Sequence, residues 1–341
     1  MTSPGANTLV ARSLVLLSNC LLCACVMPRT QDLVDRPQEP RLEDNRVVLA
    51  DGATLPLVSW HAADASPRAV IVAVHGLNQH AAVFADIAEH LAVAGFATYA
   101  FDQRGFGATE PRGIWAGEDL LADDVWQVTR LVRLRHPGVP VYGFGESLGG
   151  AVLLHALGRH PQPWLDGAVL SAPAVWNRRA MPWYQRMALP ILAHTWRGLK
   201  LSGRSVGRLP TDDPEVLRGL RADPLVIQKT RVDVLWGVAN LMDAVTAVPQ
   251  RFELPTLILY GEHDEIVPPR AMCAWVTSLD PSGRWQFALY PNGWHLLTRD
   301  LDGATVRADL TKWFLSPGVT LAVEADSGAP KARICDDAKR P

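Results

Sequence analysis

The chain has little excess charge of either sign. Its 341 residues carry 33 basic and 35 acidic side chains, a net charge of −2. A nucleic-acid surface needs a basic excess or stripe, so that class is excluded. Long apolar runs are also lacking. The stretch from Ser13 to Ala24 is short of the roughly 20 residues a membrane-spanning helix needs. Cysteine is sparse: Cys20, Cys23 and Cys25 crowd at the N-terminus, while Cys273 and Cys335 stand alone. No CxxC is matched by a second Cys or His cluster, so neither a zinc site nor any other metal or cofactor is expected. There is no internal repeat.

What is present is core-forming material. Apolar residues make up 48% of the chain, enough for a large buried interior. Twelve tryptophans run from Trp60 to Trp313. The N-terminal stretch has Arg12 followed by an apolar segment, the pattern of a secretory signal. It ends in Leu22-Cys23-Ala24-Cys25, which resembles the bacterial lipoprotein box, with Cys25 as the lipidated residue. Residues 1–25 are therefore expected to be a lipoprotein-type signal, placing the protein in a bacterial cell envelope on a lipid anchor. Soluble export to the periplasm or medium, and an uncleaved or cytoplasmic form, are the alternatives. Residues 26–44 are polar and proline-bearing and read as a tether.

From residue 45 the pattern alternates. "RVVLADGATLPLVSW" (46–60) is a hairpin around Asp51-Gly52. "AVIVAVHG" (69–76), "FATYAFD" (96–102), "VPVYGFG" (139–145) and "LDGAVLSAP" (165–173) are apolar runs of strand length, as expected for strands buried on both faces. Helical spacing separates them at 81–95, where Phe84, Ile87, Leu91 and Val93 are the apolar positions, and at 118–138 and 147–161. The alternation stops at Pro173 and resumes at 254–316, with strands at 254–264 and 284–295 and helices at 270–280 and 302–316. The fold class is α/β: a mostly parallel sheet with helices on both faces. Residues 45–173 and 251–316 form its core, 174–250 a helical cap, and 317–341 a tail of disorder-prone composition.

One glycine-rich turn holds the chemistry. In "VYGFGESLGG" (141–150), a dinucleotide fingerprint fails because position 148, where a third glycine belongs, is leucine. A P-loop fails because there is no lysine. The turn does satisfy G-x-S-x-G as Gly145-Glu146-Ser147-Leu148-Gly149, between an apolar strand and a helix, the context of a nucleophile elbow. A serine hydroxyl needs a base to become a nucleophile. In this architecture the acid and then the histidine follow the serine on later strand ends. Asp264 and His295 stand there in that order. Glu262 and Glu265 are rival acids. His263, as base, would leave the last strand's loop without a role. An oxyanion hole would use the backbone N–H of Leu148 and, from the loop after 69–76, that of Leu77, with Asn78 second. Asp102 and Arg104 read as a charged pair bracing loops near the site. His75 and His80 read as loop-shaping residues. Trp176, Trp183, Trp196 and Trp236 in the cap are candidates to line an acyl channel. Arg178, Arg179 and Arg186 could meet anionic headgroups.

Five ordered stretches, "HGLNQH", "FDQRGFG", "GFGESLGG", "YGEHDEIVP" and "NGWH", resemble the monoacylglycerol lipase / lysophospholipase branch of the α/β-hydrolases, the serine aminopeptidase S33-like group. The similarity spans about residues 45–316. It implies Ser147 as nucleophile, Asp264 and His295 as its partners, and Leu77 and Leu148 as oxyanion donors. Residues 212–227 also resemble the cap of that branch. Residue 146 departs from the pattern: it is Glu where His or Met is common. The expected activity is hydrolysis of a single-chain lipid ester, monoacylglycerol or lysophospholipid. A peptidase or amidase, or an acyltransferase, would use the same triad. A non-catalytic envelope lipid-binding protein is the alternative from another class. Oligomeric state leaves no mark in the sequence.

Overall fold

The central strands are apolar on both faces because both faces are covered. A computed structural model describes residues 27–32, 34–61, 66–202, 207–247, 250–321 and 330–337. In β4 (Val70–Val74), Val70, Val72 and Val74 enter one hydrophobic cluster, while Ile71 and Ala73 enter the other. In β10 (Thr256–Gly261), Ile258 and Tyr260 alternate in the same way with Leu257 and Leu259. This period of two is the strand's own geometry, and burial on both sides erases the polar alternation that a surface strand would show.

The remaining strands complete a sheet of nine: β1 (Arg41–Leu42), β2 (Arg46–Val48), β3 (Thr54–Trp60), β5 (Ala97–Phe101), β6 (Val141–Glu146), β7 (Gly167–Ser171) and β11 (Trp285–Tyr290). Their order is β1-β2-β3-β5-β4-β6-β7-β10-β11. The first four positions pair antiparallel and the six from β5 to β11 run parallel. The expected hairpin is β2–β3.

Helices cover the two faces. On one lie α1 (Ala85–Val93) and α8 (Gly303–Leu315), which bury Ile87, Leu91, Leu310 and Trp313. Full burial of such side chains contributes roughly 1.5–3 kcal/mol each. Val93, assigned to the apolar face of α1, lies instead on the outside of its last turn, 93% exposed. On the opposite face lie α2 (Glu118–Arg135), α3 (Leu148–Arg159) and α7 (Pro269–Ser278). Between β7 and β10 the cap contributes α4 (Trp183–Thr195), α5 (Pro214–Ala222), α6 (Val232–Thr246) and a two-stranded ribbon, β8 (Lys200–Leu201) with β9 (Thr230–Arg231). Helix α6 is more core than cap: Val234, Val238, Leu241 and Val245 join the main cluster.

Three expectations at the ends of the fold need correction. The stretch read as a tether is docked from residue 27 on. Gln31 N–H donates to Trp115 O (2.8 Å), Arg36 N–H to Asp51 O (3.0 Å) and Gln38 N–H to Ala50 O (3.1 Å), and Arg197 Nη1 donates to Met27 O (2.9 Å). The tail 317–341 contains a helix, α9 (Pro330–Asp337). Its Ile334 is buried in the main cluster, and Arg333 pairs with Glu262. Cys273 and Cys335 do not stand alone: they form a disulfide between α7 and α9. Polar composition hid all three, because the partners lie far away in sequence. Cys25 and the rest of residues 1–25, read as a lipoprotein-type signal, lie outside the described residues.

The disulfide closes a separation of 62 residues. Cross-links of this kind typically contribute about 2–4 kcal/mol. Cys335→Ser is therefore expected to lower the thermal midpoint, and a reductant to lower that of the wild type but not of the variant. Equal midpoints in all four samples would show that the link carries no stability.

Candidate active site

Strands β4 and β6 are hydrogen-bonded neighbours, with Val74 opposite Gly145. Their C-terminal loops therefore emerge side by side, at the end of a parallel sheet where ligands bind. From β6 the chain turns sharply into α3. Ser147 occupies the turn with φ 54° and ψ −115°, a conformation that costs a non-glycine residue roughly 1–3 kcal/mol. The glycines of G-x-S-x-G are there for space. A Cβ on Gly149 would lie 2.0 Å from the Val74 carbonyl oxygen, and one on Gly145 would lie 2.6 Å from Gly149 O and Gly150 Cα.

The structure brings the three predicted partners into one line. His295 Nε2 is 2.9 Å from Ser147 Oγ, and His295 Nδ1 is 2.8 Å from Asp264 Oδ2. All three side chains are buried, and Ser147, at 9% exposed, keeps an opening to solvent. Asp264 is locked from behind, since its Oδ1 accepts from Ile266 N–H (2.7 Å) and Val267 N–H (2.9 Å). Burial alone would lower the basicity of His295. The charge and hydrogen bond of Asp264 outweigh it and hold the imidazole pKa above its ordinary value. The rival acids point elsewhere: Glu262 pairs with Arg333, and Glu265 accepts from Leu209 N–H. His263 lies against Trp294.

Loop 75–80 faces Ser147 from the end of β4. A Cβ on Gly76 would be 3.4 Å from Ser147 Cβ. His75 is fully buried, and burial pushes its pKa down to about 4. Its neutral ring can donate from Nδ1 to Gly76 O (2.8 Å) while Nε2 accepts from Gln103 N–H (3.0 Å). Gly76 C=O and Leu77 N–H belong to one trans peptide and point in opposite directions. Holding that carbonyl against His75 turns Leu77 N–H away from the ring. Leu148 N–H, at the first position of α3, has no partner within the helix and lies at its positive end.

Asp102 and Arg104 do not pair with each other. Asp102 accepts from Ala81 N–H and Ala108 N–H (2.7 and 2.8 Å), and Arg104 forks onto Asp124 and also reaches Asp51. His80 joins loop 75–80 to the cap through Asp223 (2.7 Å). The cap tryptophans separate into two pairs. Trp176 and Trp236 are half-buried, under Arg208 and Arg178 respectively. Trp183 and Trp196 are 74% and 65% exposed, so they line no enclosed channel. On α4, Tyr184, Met187 and Ile191 are exposed with Trp183, and Trp196 lies just past the helix end. Arg178, a candidate for headgroups, is engaged by Asp243 and Asn240. Residue type alone marked the tryptophans as apolar without showing which of them the core would cover.

Residues 65–302 match the family model described as serine aminopeptidase, S33. The chain belongs to that family. It is an α/β-hydrolase of the monoacylglycerol lipase branch, within the serine hydrolases. This S33 chain is 28% identical to a monoacylglycerol lipase of Mycolicibacterium smegmatis over 268 residues, 74% of this chain and 90% of that one. It is 27% identical to the monoglyceride lipase of Rattus norvegicus over 301 residues, 84% and 95% of the two chains. In structure it is similar to the monoacylglycerol lipase of Paleococcus ferrophilus (TM-score 0.65, 24% identity, 77% and 98% coverage). It is also similar to a soluble variant of the Saccharomyces cerevisiae monoglyceride lipase bound to a substrate analogue (TM-score 0.66, 19% identity, 86% and 98% coverage).

Because Gly149 has backbone atoms where a methyl would go, Gly149→Ala is expected to destabilise by more than the ~1–3 kcal/mol of ordinary overpacking. Gly158→Ala, with open space at its Cβ position, serves as control. Urea unfolding of the two variants tests this, and equal midpoints would contradict it.

Proposed function

We propose that this S33 hydrolase cleaves single-chain lipid esters, monoacylglycerol or lysophospholipid, with Ser147 as nucleophile, His295 as general base and Asp264 as its orienting acid. The observation that carries the reading is the unbroken hydrogen-bonded line Ser147–His295–Asp264 on a strained strand-to-helix turn. His295 takes the Ser147 proton as Oγ attacks the ester carbonyl, and Asp264 stabilises the imidazolium that forms. The oxyanion is held by Leu77 and Leu148 N–H. The His75–Gly76 contact and the helix position of Leu148 support that assignment. His295 then protonates the departing alkoxide, and a water activated by the same ring releases the acid.

The relatives named as monoacylglycerol and monoglyceride lipases support the substrate class. So does the exposed apolar face of α4, which suits a substrate presented in a lipid layer. A place in the bacterial cell envelope on a Cys25 lipid anchor belongs to the same proposal. One observation favours it: the Cys273–Cys335 disulfide suits an oxidising compartment. Mass spectrometry of the mature N-terminus should find a diacylglyceryl-modified Cys25. An unmodified Met1 would remove the anchor.

The full-length enzyme should hydrolyse monoacylglycerol or lysophospholipid in preference to aminoacyl amides, and Ser147→Ala should lower that rate by at least about 10³-fold. Preference for amides would reassign the chain as a peptidase, and an unchanged rate in the variant would remove Ser147. Only the neutral imidazole accepts a proton, and Asp264 raises its pKa. The rate should therefore fall on acidification, with a midpoint above about 6.5. A midpoint below that value would contradict the Asp264–His295 pairing.

A further inference from the structure

Glu146 is the neighbour of the nucleophile and the residue that departs from the family pattern. It ends β6 at 1% exposure, where a lone carboxylate would be costly. It is not alone. Arg299 Nη2 donates to Glu146 Oε1 at 2.5 Å, and the Arg299 side chain is 7% exposed. Gln79 closes the set. With its amide oriented to satisfy both neighbours, it donates to Glu146 Oε1 at 3.0 Å and accepts from Arg299 Nη2 at 3.2 Å.

Each member stands on a different piece of the site. Glu146 belongs to the nucleophile turn. Gln79 belongs to the loop of Leu77, and in that orientation its amide nitrogen lies 3.2 Å from where a Gly76 Cβ would stand. Arg299 lies in the short turn Leu297–Arg299, four residues after His295. The same turn is tied to the cap: Thr211 Oγ1 donates to Arg299 O (3.2 Å), and Leu296 N–H donates to Pro210 O (2.9 Å). Glu146 and Arg299 are 153 residues apart in sequence, so the fold and no local turn brings them together.

We infer that Glu146 and Arg299, bridged by Gln79, are positioning residues that set the His295 loop and the Leu77 loop against Ser147. The inference rests on the serine-hydrolase reading above. The pair also acts on His295 through space, with opposite signs. After burial and Asp264, the Glu146 charge favours the imidazolium and the Arg299 charge opposes it. The charged groups around His295 are thus Asp264 from the loop after β10, Glu146 from β6 and Arg299 from its own turn. Asp300 accepts from Trp294 N–H (2.7 Å) beside His295; burial, with the Asp212 and Glu146 charges, pushes its carboxyl up to about 6.

The test compares Glu146→Gln, Arg299→Met and Arg299→Lys in the full-length enzyme. It uses ester hydrolysis and the rate of fluorophosphonate labelling, each followed against pH. Glu146→Gln should lower kcat roughly tenfold to a hundredfold with KM within about twofold, because reacting groups are misplaced while binding is not. It should also move the acidic limb to lower pH, since it removes an anion facing His295 and leaves Arg299 uncompensated. Arg299→Met should lower kcat similarly, with a limb that moves up or stays. Arg299→Lys should recover part of kcat. A merely structural pair would leave the limb in place in all three variants, and that result would overturn the inference. So would limbs moving the same way in Glu146→Gln and Arg299→Met. If Glu146→Gln does not fold, the neutral double variant Glu146→Gln/Arg299→Met carries the test, because replacing a whole buried pair is tolerated better than halving it. It should show lowered kcat with a limb near that of the wild type, and wild-type kcat would overturn the inference. Ser147→Ala reports separately on the reading beneath: activity surviving in it sinks the serine mechanism, whatever the Glu146 variants do.

Discussion

The backbone contact between Gly149 and the end of β4 is the constraint on which the site depends. No side chain separates the start of α3 from the Val74 carbonyl. That lets the Ser147 turn rest directly on the neighbouring strand and places loop 75–80 within reach of Ser147. The order β4 beside β6 supplies the adjacency, and the missing Cβ supplies the distance. The strained φ of Ser147 is sustained because both sides are fixed: Ser147 N–H donates to Ser171 O, and Ser147 O accepts from Ala151 and Ala174 N–H.

Polar groups buried around this contact form two sets with different work. One is the line Ser147–His295–Asp264, in which Asp264 is held by two backbone amides and spends its second oxygen on His295. The other is Glu146–Arg299–Gln79, in which a carboxylate next to Ser147 is paired with a cation four residues past His295. Burying either charge of the second set alone would cost several kcal/mol. Together they add two charges of opposite sign near His295 without adding net charge. Against the burial that lowers the imidazole pKa, Asp264 is the largest of the charges that raise it, while the loops gain a tie that apolar packing could not provide in so specific a geometry.

The legible and illegible parts of this chain differ in the range of the interactions that made them. Runs such as 69–76 and 139–145 were readable as buried strands because double-sided burial writes itself as continuous apolar sequence. The convergence of Ser147, Asp264 and His295 was readable because each follows its own strand. The segments at 27–44 and 330–337 were not readable as ordered. Gln31 is held by Trp115, and Cys335 by Cys273, partners that no local pattern reveals. The exposure of Trp183 and Trp196 was hidden for a related reason. Sequence shows that a tryptophan is apolar, and only the assembled fold decides whether anything covers it. Glu146 was visible as an oddity, but Arg299 gave no signal beyond being a charge four residues past His295.

The cap shows how substrate access and the reacting groups are joined. Its contacts with the site loops are polar and discrete: His80 with Asp223, Asn78 Nδ2 with Thr230 Oγ1, Ile227 N–H with Asn78 O, Thr211 with Arg299 O, and Leu301 N–H with Asp212. Its outward face, on α4, is apolar. Helix α6 anchors the insertion to the main cluster, so a lipid surface meeting α4 would load a segment rooted in the core and pinned at both loops that flank Ser147. Displacement of α5 or the β8–β9 ribbon would have to break bonds to the residues that hold Leu77 and His295 in place. Access and geometry are therefore not independent in this fold, because the same few hydrogen bonds serve both.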